Sequence, residues 1–189
     1  MKGPILTWAN QLTLLRMLLI PAFVLLLVYG QSGWALAVFM LAGATDLLDG
    51  LIARWTQQKS ELGAWLDPAA DKLLLVTTFI VLTMPNLGLV NRIPLWLTVL
   101  VISRDVGIVL TVAIVNLAQG PRTFRPSLLG KGATAFFILT CVVVMYYNYL
   151  GYPSPVVDVF IWGSLAITLA SGVDYVFRVA RILHAEGAR

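Results

Sequence analysis

The stretch from Leu36 to Thr83, LAVFMLAGATDLLDGLIARWTQQKSELGAWLDPAADKLLLVTTFIVLT, is mostly apolar and is interrupted by four aspartates, Asp46, Asp49, Asp67 and Asp71. A carboxylate at membrane depth is costly unless it is neutralised or paired. Asp46 and Asp49 are three residues apart and Asp67 and Asp71 four apart, so on helices each pair projects from one face. Two such faces turned together form one acidic pocket, and that pocket demands cations. Oxygen-only ligands suit hard cations such as Mg²⁺ or Mn²⁺, and four carboxylates suffice for two ions that share ligands. Paired divalent ions clamp the attacking and leaving oxygens of an in-line displacement at phosphorus.

The residues between the aspartates extend this reading. Gly50 follows Asp49, Ala53 continues the same small face one turn later, and Gly63 precedes Asp67 by one turn. A flat group such as a nucleotide base can approach both backbones there, and Arg54 can reach a phosphate at the rim. The competing reading makes the aspartates structural, paired with Arg54, Lys72 or Arg104, with the glycines serving helix packing.

Outward from this stretch the chain remains apolar. It has 189 residues, 59% hydrophobic and 12% charged, and a soluble domain carries about twice that charged fraction. A hydrocarbon core of about 30 Å needs about 20 helical residues. Six segments come close, near 12–30, 33–54, 66–84, 93–118, 127–149 and 156–179. Turn chemistry separates them at Gly30–Gly33, Pro85–Gly88, Gly120-Pro121 and Gly151–Pro155. With no polar block between the segments, residues 1–189 read as a single all-α integral membrane domain, a six-transmembrane-helix bundle. The first segment reads as an uncleaved helix, since Asn10, Thr13 and Arg16 interrupt any signal-peptide pattern.

Charge supports an orientation. Lys2, Arg16, Arg54, Lys59, Lys72, Arg122, Arg125, Lys131, Arg178, Arg181 and Arg189 fall on the side of the termini. Only Arg92 falls opposite, and Arg104 lies within a span. Lysine and arginine in short loops favour the cytoplasm, so both termini are expected there. The net charge of +4 is accounted for by topology and by anionic membrane headgroups, which places nucleic acid far down among the partners. Cys141 has no partner for a disulfide or metal site, and His184 sits in a basic tail, Arg181 to Arg189, that is expected to be short and polar.

Asp46-x-x-Asp49-Gly50-x-x-Ala53-Arg54, eight further residues, then Gly63-x-x-x-Asp67-x-x-x-Asp71 resembles the signature of the CDP-alcohol phosphotransferase family, with its eight defined positions all present. The similarity continues through Asn10-x-x-Thr13-x-x-Arg16-x-x-x-x-Pro21 and Gly130-Lys131. This resemblance implies a bacterial inner-membrane enzyme, usually a homodimer, of six helices with a cytoplasm-facing site for two divalent cations. CDP-diacylglycerol would bind there with its lipid part entering from the bilayer. On this sequence it makes Asp46, Asp49, Asp67 and Asp71 metal ligands and gives Asp71 the acceptor's hydroxyl proton. It assigns the cytidine and phosphate pocket to Gly50, Ala53, Arg54 and Gly63, with Thr45 and Asn10 as weaker candidates.

Arg104, Arg122, Arg125 and Lys131 form a second basic group. Asp105 adjoins Arg104 in sequence but projects from a different side of a helix, so an external acceptor phosphate is the expected partner of Arg104. Phosphatidylglycerol and glycerol 3-phosphate both qualify. The run Leu41 to Arg54, with Ile102 to Val106 and Pro121-Arg122-Thr123, resembles the mitochondrial-type cardiolipin synthases. Gly130-Lys131 is also common in phosphatidylglycerophosphate synthases. An ion-coupled transporter, which would spread its carboxylates along a path, and a scaffold that merely binds CDP-lipids are the readings from other classes.

Overall fold

The computed structural model describes the backbone of residues 8–56, 61–119 and 127–187. It also describes their side chains, other than those of 8–10, 46–56, 61–68, 116, 118–119 and 179–187. The described residues form α1 (Trp8–Val28), α2 (Ser32–Thr56), α3 (Glu61–Thr83), α4 (Leu95–Gln119), α5 (Leu128–Leu150) and α6 (Pro155–Gly187), with one 3₁₀ turn at Pro85–Leu87. Each helix falls on one of the six expected segments. Through the polar C-terminal residues the chain stays helical, α6 continuing to Gly187.

Local chemistry sets the helix ends. Gly30 has φ of 73° and closes α1, with its N–H donating to Leu27 O at 3.0 Å and the Gln31 N–H to Leu26 O at 2.8 Å. This double bond is a Schellman cap, and the left-handed residue it requires favours glycine. Ser127 starts α5 by accepting the Gly130 N–H on its hydroxyl at 2.8 Å.

Four of these helices hold stretches long and apolar enough to cross a membrane: Gln11–Val28, Leu95–Val115, Leu128–Leu150 and Pro155–Arg178. The apolar stretch of α2, Ser32–Thr45, is shorter. Large apolar side chains face outward along them, among them Leu18, Val109, Val159 and Val176. Water would reject such a surface and hydrocarbon accepts it. The protein is an integral membrane protein.

Contacts gather the chain into two compact units. One comprises residues 1–92 and 141–153, and the other 93–140 and 154–189, so α5 contributes to both. In the first, α1 packs on α2 and α3 around Phe23, Leu27, Phe39, Ala42 and Phe79, all buried. A polar clasp ties the segment after α3 to the end of α5. Asn148 accepts the Asn91 N–H at 2.9 Å and donates to Asn91 O at 2.8 Å, while the Asn91 amide donates to Tyr152 O at 3.0 Å. In the second unit α4 packs on α6. The buried hydroxyls of Thr140 on α5 and Ser164 on α6 meet at 2.9 Å, and Phe136 stacks on Phe160 with ring centroids 5.5 Å apart.

The clasp makes a stability prediction. Asn148→Leu strands the Asn91 N–H and carbonyl in a buried setting and is expected to destabilise the protein by about 1–3 kcal/mol. Thermal unfolding in detergent, compared with an exposed control such as Tyr146→Leu, reads this directly.

Candidate active site

The aspartate motif is distributed over two consecutive helices. α2 carries Thr45, Asp46, Asp49, Gly50, Ala53 and Arg54, and α3 carries Gly63, Asp67 and Asp71. Both pack on α1, so the helical spacings read from the sequence hold at the backbone level. The side chains of Asn10, Asp46, Asp49, Gly50, Ala53, Arg54, Gly63 and Asp67 lie outside the described residues, as do Arg122 and Arg125. Among the described side chains, no three His, Cys, Asp or Glu groups gather as a metal cluster.

Asp71 is described, and its partner comes from α1. Arg16 Nη1 donates to Asp71 Oδ1, with the arginine side chain 1% exposed and the aspartate 45% exposed. The buried guanidinium needs an anion because no water reaches it, and the carboxylate that supplies it is half-exposed. The sequence places Arg16 among the topological charges and in the family pattern ahead of the motif, but does not name Asp71 as its partner. The overlooked signal was Thr13 and Arg16, three apart on one face of an otherwise apolar helix, and both are fully buried. Thr45 is buried too, and its hydroxyl donates to Ala42 O at 2.7 Å. With its proton engaged there, Thr45 can only accept a hydrogen bond from a ligand.

Within the second unit, Arg104 is 9% exposed at its side chain. Its Nε donates to Ser171 Oγ at 3.1 Å and its Nη1 to Asp105 Oδ1 at 2.7 Å. This corrects the expectation that Asp105 points away. Adjacent Cβ atoms on a helix diverge by about 100°, but the arginine stem is long enough to bring its guanidinium back beside the carboxylate. Ser171 was also missed. Its hydroxyl donates to Thr168 O at 3.1 Å, so its oxygen is left to accept from Arg104. Gly130 lies close by, where an added Cβ would stand 3.4 Å from Arg104 Nη2. Lys131 is exposed at the start of α5. Asp174 accepts from Arg178 Nε at 2.9 Å, the ordinary helix pair their spacing suggested.

Compared with known proteins, residues 6–170 match the profile of the CDP-alcohol phosphatidyltransferase family. The chain belongs to this family. Among its relatives is a Mycobacterium tuberculosis protein named "Probable phosphatidylglycerophosphate synthase", 35% identical over 187 residues, covering 95% of this chain and 85% of the relative. The cardiolipin synthase (CMP-forming) of Streptomyces coelicolor is 31% identical over 194 residues, covering 97% and 87%. The human cardiolipin synthase (CMP-forming) is 32% identical over 191 residues, covering 93% of this chain and 62% of the human one.

This CDP-alcohol phosphatidyltransferase is therefore an enzyme of phospholipid biosynthesis, in a family that generally depends on divalent metals. The donor set agrees with that dependence. The motif supplies carboxylate oxygens only, whereas Cys141 is fully buried and His184 lies far along α6.

The Arg16–Asp71 pair is testable by stability. Arg16→Met leaves an anion on α3 without its buried cation and is expected to cost about 1–3 kcal/mol, reduced from a fully buried pair because Asp71 is half-exposed. Arg16→Lys is expected to restore part of the loss. Unfolding curves of the two variants check the order.

Proposed function

We propose that the enzyme transfers the phosphatidyl group of CDP-diacylglycerol to phosphatidylglycerol, giving cardiolipin and CMP. What carries this reading is the complete aspartate motif on the consecutive helices α2 and α3 of a family member, with Asp71 half-exposed and held by Arg16. The likeness of Leu41 to Arg54, and of the segment around Arg104, to cardiolipin synthases points to the acceptor, and two of the relatives reported above carry that name. We read six transmembrane spans, both termini in the cytoplasm, a bacterial inner membrane and a homodimer.

In this reading Asp46, Asp49, Asp67 and Asp71 hold two divalent cations, Mg²⁺ or Mn²⁺. When bound, these ions neutralise the diphosphate and stabilise charge on the attacking and leaving oxygens. Gly50, Ala53, Arg54 and Gly63, with Asn10 and Thr45, receive the cytidine and its phosphates. Asp71 takes the proton of the acceptor hydroxyl as its oxygen bonds to the lipid-side phosphorus. The bond from that phosphorus to the bridging oxygen breaks, and CMP departs with the electron pair. Arg16 fixes the carboxylate of Asp71 for this transfer. Arg104, Arg122, Arg125 and Lys131 bind the acceptor phosphate, with Arg104 oriented by Ser171 and Asp105.

A second reading has glycerol 3-phosphate as acceptor, giving phosphatidylglycerophosphate. The 35% identity to the M. tuberculosis protein of that name favours it.

Purified enzyme supplied with CDP-diacylglycerol, Mg²⁺ and each radiolabelled acceptor in turn decides between the two, and cardiolipin is the expected labelled product. Use of inositol phosphate alone would sink both. Asp71→Asn is expected to lower turnover by about 10²–10⁴-fold, the range for a general base, while CDP-diacylglycerol still binds. EDTA is expected to abolish CMP release, with Mg²⁺ or Mn²⁺ restoring it. A transporter or a non-catalytic scaffold would release no CMP under any of these conditions.

A further inference from the structure

Within the second unit a groove of about 840 Å³ runs between α4 and α6, inside the range of about 300–1,000 Å³ typical of ligand pockets. Both walls belong to candidate membrane spans, Leu95–Val115 and Pro155–Arg178. Along α4 the lining extends from Trp96 to Thr111, about 22 Å at about 1.5 Å per residue. One leaflet of hydrocarbon is about 15 Å deep, half of about 30 Å. Arg104 stands about midway along this length, so about 10–12 Å of groove lies to either side of it, room for part of a fatty acyl chain.

Its interior chemistry is that of hydrocarbon. Gly107 on α4 and Gly172 on α6 both line it, and a Cβ added at either would meet nothing within 4 Å. Small residues usually bring membrane helices together, but here they leave space that no described side chain fills. Of the four hydroxyl side chains in the wall, Ser103, Thr111, Thr168 and Tyr175, three donate to backbone carbonyls: Thr111 to Gly107 O at 2.7 Å, Thr168 to Ser164 O at 2.6 Å and Tyr175 to Ile108 O at 3.1 Å. With those donors engaged, these three residues give the groove little power to orient a polar guest.

Arg104 is the exception in the lining. A guanidinium has five N–H donors, and the bonds to Ser171 and Asp105 use two of them. An arginine with spare donors beside an apolar slot complements an anionic phosphate carrying a hydrocarbon tail.

We propose that the α4–α6 groove holds an acyl chain of the acceptor while Arg104 takes its phosphate, so that the site is built for a phospholipid acceptor and not for a water-soluble phosphate. This rests on the assignment of Arg104 to the acceptor. It adds a substrate class that the phosphate contact alone leaves open, since glycerol 3-phosphate has no tail to occupy the groove.

The test compares phosphatidylglycerol with glycerophosphoglycerol, the same headgroup without tails, and with glycerol 3-phosphate. Gly107→Leu and Gly172→Leu fill the groove from open positions. Each is expected to lower kcat/KM for phosphatidylglycerol by roughly tenfold or more, the scale on which apolar pockets discriminate by methylenes. Use of the tail-less acceptors should change by less than about twofold, a split that general unfolding would not produce. Unchanged use of phosphatidylglycerol, or an equal fall for every acceptor, would overturn the proposal. A second measurement needs no variant: phosphatidylglycerol with a photoreactive group on its acyl chain is expected to label wild-type peptides around Gly107 and Gly172. Labelling confined to other segments would overturn it as well. If the wild-type enzyme uses no phosphate-bearing acceptor at all, the acceptor assignment fails first, which the same assays distinguish.

Discussion

A guanidinium buried in an apolar helix bundle has no water to hydrate it, and the molecule answers Arg16 with Asp71. Leaving the buried guanidinium without an anion would be costly, so α1 and α3 are held in one register by electrostatics as well as by packing. That register matters because Asp71 closes the aspartate motif. A shift of one helical residue would turn its carboxylate by about 100° and carry it away from Arg16 on α1. The interaction that joins α1 to α3 in the first unit therefore also orients the carboxylate to which the proposed function gives the proton transfer.

Elsewhere polar groups do similar work without charge. Lipid tails are as apolar as leucine, so helices gain little from hydrophobic sorting and rely on close packing and interhelical hydrogen bonds. The Thr140–Ser164 contact joins α5 to α6, and one face of α6 continues through Thr168 to Ser171, which holds Arg104. Residues 164, 168 and 171, at helical spacing, thus form one hydroxyl stripe whose last member holds Arg104 of α4. Asn91 and Asn148 act likewise in the first unit, where each satisfies backbone groups that a loop inside the bundle would otherwise strand.

The helices were legible in the sequence because apolar length and glycine or proline punctuation have one cheap solution in a membrane. Gly30 could be recognised as a break, and its positive φ and Schellman bonds explain why the helix stops there. The motif was legible because carboxylates in lipid are too costly to be incidental. Partner choice was harder to read. Arg16 looked like a positive-inside residue until its burial was seen, and helical angles placed Asp105 away from Arg104 although the flexible stem brings them to 2.7 Å. Periodicity locates Cβ atoms, whereas long side chains select partners within several ångströms of them, by electrostatics that spacing does not encode.

These distinctions separate two kinds of constraint. The first unit carries the motif, whose demand under the proposed function would be the same for any acceptor: oxygen ligands at fixed helical spacing and a carboxylate to take a proton. The second carries Arg104, and the phosphate contact proposed for it would admit a lipid or a soluble ester alike, since both present the same anion. Discrimination between those acceptors must then come from what lies beyond the phosphate. A phosphate contact supplies affinity common to all candidates, and only a feature that one candidate fills and another leaves empty creates a difference in transition-state binding. The open glycine faces of α4 and α6 are such a feature, because an acyl chain can gain packing contacts in that space whereas a tail-less ester has nothing to place there.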